Sequence, residues 1–187
     1  FRLKAVLYNQ LINPWLYWIP QQLPFLHLGE TRYHPLRNIG AIDAARFSSL
    51  AANARAYRDD TIVSQKAVAE MLAGHEFIPE GFVDLASACQ VPVNRRLLRY
   101  PLIVNRSARD ELYANLERKG LGPSRMYPVA LPAIPGLESM LSGQGPFPAA
   151  DAFAARILTL PVHGRVRGAD IRAMKQVFEK TFMDTVL

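Results

Sequence analysis

Residues 97–122 read LLRYPLIVNRSARDELYANLERKGLG, and this stretch decides the fold. The run Leu97–Val104 is apolar and β-branched at its end, which predicts a strand. Pro101 cannot donate to a ladder, so it predicts an edge strand or a strand start. Ser107, followed three residues later by Asp110, resembles a capping box with Asp in place of the usual Glu. Leu112 and Leu116 then lie one helical turn apart, and Gly120 predicts the helix stop. Strand, capped helix and glycine stop together make a β–α unit.

Working upstream, Ala41–Tyr57 predicts a helix with Ile42, Ala45, Ser49, Ala52 and Ala56 at three- and four-residue steps. The pattern runs on through Val63, Ala67, Val68 and Met71 to Leu72, with Gly74 as its stop. Asp59–Asp60–Thr61 is the place where it divides into two helices, because Asp and Thr also cap. Downstream, seven of the 14 prolines fall between Pro123 and Pro161, interleaved with Tyr127, Leu131, Ile134, Leu137 and Phe147. That mixture predicts an ordered but irregular segment. A short helix over Ala149–Arg156 starts after Pro148, followed by a strand Ile157–Leu160. The last helix carries Ile171, Met174, Val177, Phe178 and Phe182 on one face.

The chain has 187 residues, half of them hydrophobic and a fifth charged, which excludes a disordered tail. One cysteine, Cys89, excludes an internal disulfide and a Cys-rich zinc site. It reads as a buried free thiol in a reducing, cytoplasmic setting. The net charge is +6, and Gln90–Arg125 carries eight basic against three acidic side chains, a local +5. Such a segment favours anionic partners. No zinc finger, basic zipper or aromatic–glycine RNA motif is present, so no nucleic-acid partner is expected. Residues Ala5–Gly29 are uncharged, but Pro14, Pro20 and Pro24 break any spanning helix. Trp15, Tyr17 and Trp18 point instead to an arm that packs on a partner, with peripheral membrane contact as the alternative. The loop Gly29–Gly40, GETRYHPLRNIG, offers Tyr33, His34, Arg37 and Asn38 for binding. His27, His34, His75 and His163 show no metal-ligand spacing, and no P-loop, dinucleotide or nucleophile-elbow motif occurs, so no metal or catalytic residue is expected. A first residue of Phe1 in place of Met predicts processing or excision from a longer protein.

Several ordered segments carry a family resemblance. They are Arg99–Val104, Arg109–Gly122, Met126-Tyr127-Pro128, Phe147–Asp151, Ala154–Pro161 and Asp170-Ile171. In this order they resemble the C-terminal region of the DegT/DnrJ/StrS sugar aminotransferases, with Asp151 where that family has Glu. Ala41–Tyr57 resembles the family's Ala-rich long helix. The resemblance implies an α/β (α+β) fold: the small C-terminal domain of a fold-type-I pyridoxal-phosphate aminotransferase, a few-stranded sheet packed with helices. It implies an arm and loop over residues 1–40, packing on a large domain or a dimer partner. A long helix or helix pair follows over 41–74, and the small domain fills 75–187.

Members of that family usually form homodimers. They transfer an amino group from an amino acid to a keto-sugar, usually nucleotide-linked, for surface polysaccharides and deoxyaminosugars. The cofactor lysine and its Asp partner are expected ahead of residue 1, since Lys4, Lys66, Lys119, Lys175 and Lys180 stand in other contexts. This piece alone is then expected to be inactive. The family's N-x-R phosphate motif aligns with Leu36, Arg37 and Asn38; the motif is not kept, but Arg37 and Asn38 remain candidate cofactor-phosphate ligands. Tyr33, His34, Arg125 and Tyr127 are the candidate substrate contacts. The competing reading is a non-catalytic interaction module with the small-domain fold.

Overall fold

The computed structural model describes residues 33–59, 61–73, 81–92, 94–141 and 143–183. They divide into two compact units. Of the described residues, the smaller takes in Tyr33, 131–141 and 143–145, and the larger takes in the rest. In the smaller unit Leu131–Ala133 forms a single 3-10 turn. The Tyr33 N–H donates to the Pro135 carbonyl at 3.4 Å.

The larger unit opens with helix α1, Ala44–Asp59. It starts three residues later than expected because Asp43 caps it: Asp43 Oδ1 accepts from the Arg46 N–H at 2.8 Å. The predicted break is found, and α2 spans Val63–Ala73. Gly74, the expected stop, lies outside the described residues. No residue of α1 is buried, whereas α2 buries Gln65, Val68, Met71 and Leu72. The small-residue stripe of α1 therefore does not pack against another described helix.

A two-residue strand β1, Val83–Asp84, leads into α3, Leu85–Ala88. Asp84 caps this turn, its Oδ1 accepting from the N–H groups of Ala86 (2.9 Å) and Ser87 (3.1 Å). Strand β2, Arg99–Ile103, and strand β3, Ile157–Pro161, complete a three-stranded sheet of order β1-β2-β3. Both pairings are antiparallel, so the described fold is α+β.

The expectation that Pro101 marks an edge strand or a strand start is overturned, since β2 is central and Pro101 sits in its middle. The register explains why this is tolerated. Pro101 stands opposite Thr159. Thr159 directs its own N–H and C=O the other way, to Ser124, at 2.8 and 3.0 Å. The Pro101–Thr159 pair is thus a non-hydrogen-bonded one. The missing Pro101 donor faces the β1 flank, and β1 has already ended at Asp84, opposite Leu102.

Helix α4, Arg106–Arg118, buries Ala108, Leu112 and Leu116. The expected Ser107–Asp110 capping box is not formed. Asn105 is the N-cap, and its Oδ1 accepts from the Ser107 N–H at 3.5 Å. Asp110 is drawn instead to two arginines described below. The stop at Gly120 is as expected. With φ at +68°, it lets the Leu121 N–H reach the Leu116 carbonyl (3.0 Å) and the Gly120 N–H reach Glu117 (2.8 Å).

Helix α5, Pro148–Ala154, begins with proline at its first turn. Helix α6, Gly168–Met183, begins with the Asp170 carboxylate accepting from the Arg167 N–H at 2.8 Å. Of its predicted face, Met174, Val177, Phe178 and Phe182 are buried and Ile171 is half-buried. The core joins α2, α4 and α6 to one face of the sheet through Val68, Leu72, Leu102, Leu112, Leu116, Leu158 and Leu160. Phe82 meets Phe178 and Phe182 edge-on at 6.3 and 6.2 Å.

Candidate functional site

The basic segment resolves into two kinds of arginine. Arg99 and Arg109 hold the fold. Arg99 Nε donates to Thr159 Oγ1 at 2.7 Å, and its Nη2 donates to the carbonyls of Thr159 (3.1 Å) and Gly122. Burial pulls its pKa below the ordinary arginine value. Arg109 is 11% exposed; its Nη1 donates to the Ala154 carbonyl at 2.9 Å, tying α4 to the end of α5. Neither presents a free anion-binding fork, so the local +5 overstates the charge available to a partner.

Arg125 is different. It stands on the turn Ser124–Tyr127, which four hydrogen bonds fix. Ser124 pairs with Thr159, the Met126 N–H donates to Ser124 Oγ (3.1 Å), and the Tyr127 N–H donates to the Arg125 carbonyl (2.6 Å). Met126 adopts φ +58°, a left-handed conformation that costs a bulky residue about 1–3 kcal/mol. These four hydrogen bonds hold that strain in place. The Arg125 guanidinium lies 4.3 Å from the Tyr113 ring centroid, and its Nη2 is 3.6 Å from Asp110 Oδ1. Asp110 Oδ1 also accepts from Arg109 Nε (3.1 Å) and Nη2 (2.8 Å). Tyr113 Oη donates to Glu117 Oε1 at 3.0 Å. Asp110, Tyr113 and Glu117 thus form a rail along one side of α4 against which Arg125 is laid.

Arg125 Nε is buried and makes no hydrogen bond, while the side chain as a whole keeps 40% of its surface. Tyr127 is 60% exposed. A charged fork pre-set on an aromatic face beside an exposed phenol suits a carboxylate or phosphate. The sequence by itself does not mark Asp110 and Tyr113 as support for this residue. Their three-residue spacing on α4 is the available signal, but nothing local indicates that Arg125 returns to it.

The other candidates lie elsewhere. Tyr33 belongs to the smaller unit. His34, Arg37 and Asn38 are exposed on an irregular stretch that ends at Asp43. Cys89 is exposed, against the expectation of a buried thiol, because it follows the last residue of the single-turn helix α3. The Trp15–Trp18 cluster and Lys4 lie outside the described residues. Among the described residues no helix is long and apolar enough to cross a membrane.

The pyridoxal phosphate implied by the sequence resemblance does not fit the described residues by themselves. Lys66, Lys119, Lys175 and Lys180 are all exposed, and Lys175 Nζ faces Glu179 at 3.8 Å. A Schiff-base amine needs a desolvated or charge-tuned pocket, and none of these has one. Arg37 and Asn38, in turn, lie on no helix terminus or loop nest that would cradle a phosphate.

No protein-family model and no curated protein matches the chain. Among solved structures it is similar to DesV of S. venezuelae, determined by X-ray crystallography in complex with a ketimine intermediate. The TM-score is 0.56 at 20% identity, and the match covers 87% of this chain and 44% of DesV. The likeness is one of fold, and the chain spans less than half of that structure.

Proposed function

We propose that this chain is the small-domain portion of a pyridoxal-phosphate-dependent aminotransferase acting on a nucleotide-linked keto-sugar. The observation that carries the reading is the fold likeness to DesV, a structure holding a ketimine. A ketimine is the imine formed when an amino group is being moved to or from a keto carbon. The ordered sequence resemblance over Arg99–Lys180 leads independently to the same chemistry. Because the described lysines are exposed and Lys4 stands in another sequence context, the Schiff-base lysine is proposed to lie outside this sequence, and a homodimer partner is proposed to complete the site. Within this chain, Arg125 and Tyr127 are the proposed substrate contacts, Arg125 taking a phosphate or carboxylate of the sugar or amino donor. Arg37 and Asn38, exposed ahead of α1 without a backbone cradle, are proposed to reach the partner's cofactor phosphate with their side chains alone.

Borohydride reduction in the presence of pyridoxal phosphate, applied to the protein as encoded by its full gene, tests this. A pyridoxyl-lysine outside these 187 residues is the expected result. Label on Lys4, Lys66, Lys119, Lys175 or Lys180, or no label at all, overturns the assignment. The second reading, a non-catalytic module with the same fold, is favoured by the unburied helix α1 and requires the no-label outcome.

A further inference from the structure

A cleft of about 610 Å³ opens between α2 and the segment that leads from α3 to β2. Small-molecule sites commonly enclose about 300–1,000 Å³. Both ends of that segment are fixed. Gln65 on α2 is 6% exposed and commits its whole amide to one end: Nε2 donates to the Arg95 carbonyl and Oε1 accepts from the Leu97 N–H, each at 2.9 Å. At the other end the Val91 N–H donates to the Ala86 carbonyl and the Gln90 N–H to the Ser87 carbonyl, both at 2.9 Å, which closes α3. Ala69, Ala86, Val91 and Leu97 line the cleft with apolar surface.

Three polar side chains on the lining take no part in this scaffold. Lys66 and Glu70 are exposed, four residues apart on α2. Neither forms an ion pair among the described residues, although the same spacing pairs Lys175 with Glu179 at 3.8 Å. Gln90 is the third. It holds the left-handed position of the α3 stop, φ +50°, where glycine is the unstrained choice. The chain carries that strain with a polar side chain on the cleft lining.

We infer that this cleft binds a free α-amino acid with an apolar side chain. Its carboxylate is met by Lys66 and Gln90, its ammonium by Glu70, and its side chain by Ala69, Val91 and Leu97. An unpaired cation and an unpaired anion one helical turn apart, about 5–6 Å between Cβ atoms, match a zwitterion whose two charges sit on one carbon. A peptide terminus or a fatty acid offers only one of the two charges. The inference uses none of the residues assigned to the aminotransferase site and is independent of that reading.

Calorimetric titration of L-leucine into the 187-residue chain, kept free of pyridoxal phosphate, is the test. Saturable binding at one site is expected. Leucine methyl ester, which lacks the carboxylate, and isocaproate, which lacks the ammonium, each bind about tenfold more weakly, the loss of one charge-assisted contact. Lys66→Met abolishes the preference for leucine over its ester, and Glu70→Gln the preference over isocaproate. Both positions are exposed, so these variants keep the fold. Gln90→Gly raises the urea midpoint by relieving the left-handed turn, yet weakens leucine binding. Absence of saturation, or equal affinity for leucine and both analogues, overturns the inference. So do Lys66→Met and Glu70→Gln variants that keep the original preferences.

Discussion

Tyr100 illustrates how one side chain sets a pH response. It is 3% exposed and donates through Oη to Asp84 Oδ2 at 2.7 Å. Burial, then the Asp84 carboxylate, hold its pKa well above the ordinary tyrosine value. A raised acid pKa means that the folded state keeps a proton the unfolded chain gives up. Stability from this group is therefore complete below about pH 10 and falls as pH rises beyond it. In urea titrations Tyr100→Phe is expected to flatten that alkaline decline. At neutral pH the same variant costs about 1–2 kcal/mol, because Asp84 Oδ2 is left with the Ser87 hydroxyl alone. An unchanged alkaline slope would remove Tyr100 as its source. At Arg125 the expected effects separate cleanly. Tyr113→Leu removes the aromatic face and costs about 0.5–1 kcal/mol in chemical denaturation, whereas Tyr113→Phe, which keeps the face, costs less. Equal losses would assign the effect to the Tyr113–Glu117 bond instead.

At the scale of elements, the helices were more legible than the sheet. The faces of α2, α4 and α6 follow from three- and four-residue spacing of Val, Leu, Met and Phe, because helix contacts are local. The Asn105 cap and the Gly120 stop are also local, yet only the stop is legible in the sequence. Ser107 and Asp110 have the right spacing for a box, but Asn105 precedes them, and Arg109 and Arg125 compete for Asp110. Asn105→Ala is accordingly expected to destabilise by about 0.5–2 kcal/mol and Ser107→Ala by much less, measured as urea midpoints; the reverse order would restore the box. The place of Pro101 is illegible for a different reason. Whether a proline is tolerated depends on which way its missing donor faces, and that is set by partners 58 residues away in Thr159 and 17 away in Asp84. Sequence periodicity carries no such information. For the same reason Arg99 and Arg109 looked like surface charge until their carbonyl acceptors were known.

For the molecule as a whole, burial is uneven. Phe47, Leu50 and Tyr57 on α1 are 61%, 57% and 46% exposed, whereas the α2, α4 and α6 faces are closed over the sheet. Backbone bonds without packed side chains open at low cost. Amide hydrogen exchange is expected to be fast in α1 and slow in β2, β3 and α6; protection of α1 equal to that of α6 would show that its apolar stripe is covered in solution. The candidate site was legible in its residues, Arg125 and Tyr127, because a basic residue beside a Tyr-Pro turn stands out. Its geometry was not, since Tyr113 lies one helix earlier. The Ser124–Thr159 bridge also limits assembly. Strand β3 is buried at all five positions, yet it is the outermost strand of the described sheet. An outer strand so apolar is a template on which a stranger's backbone can dock and polymerise. Ser124 occupies the docking bonds at its middle residue, and Pro161 removes a donor at its end. Two small features thus close an edge that another backbone could otherwise extend, a safeguard that no catalytic assay would register.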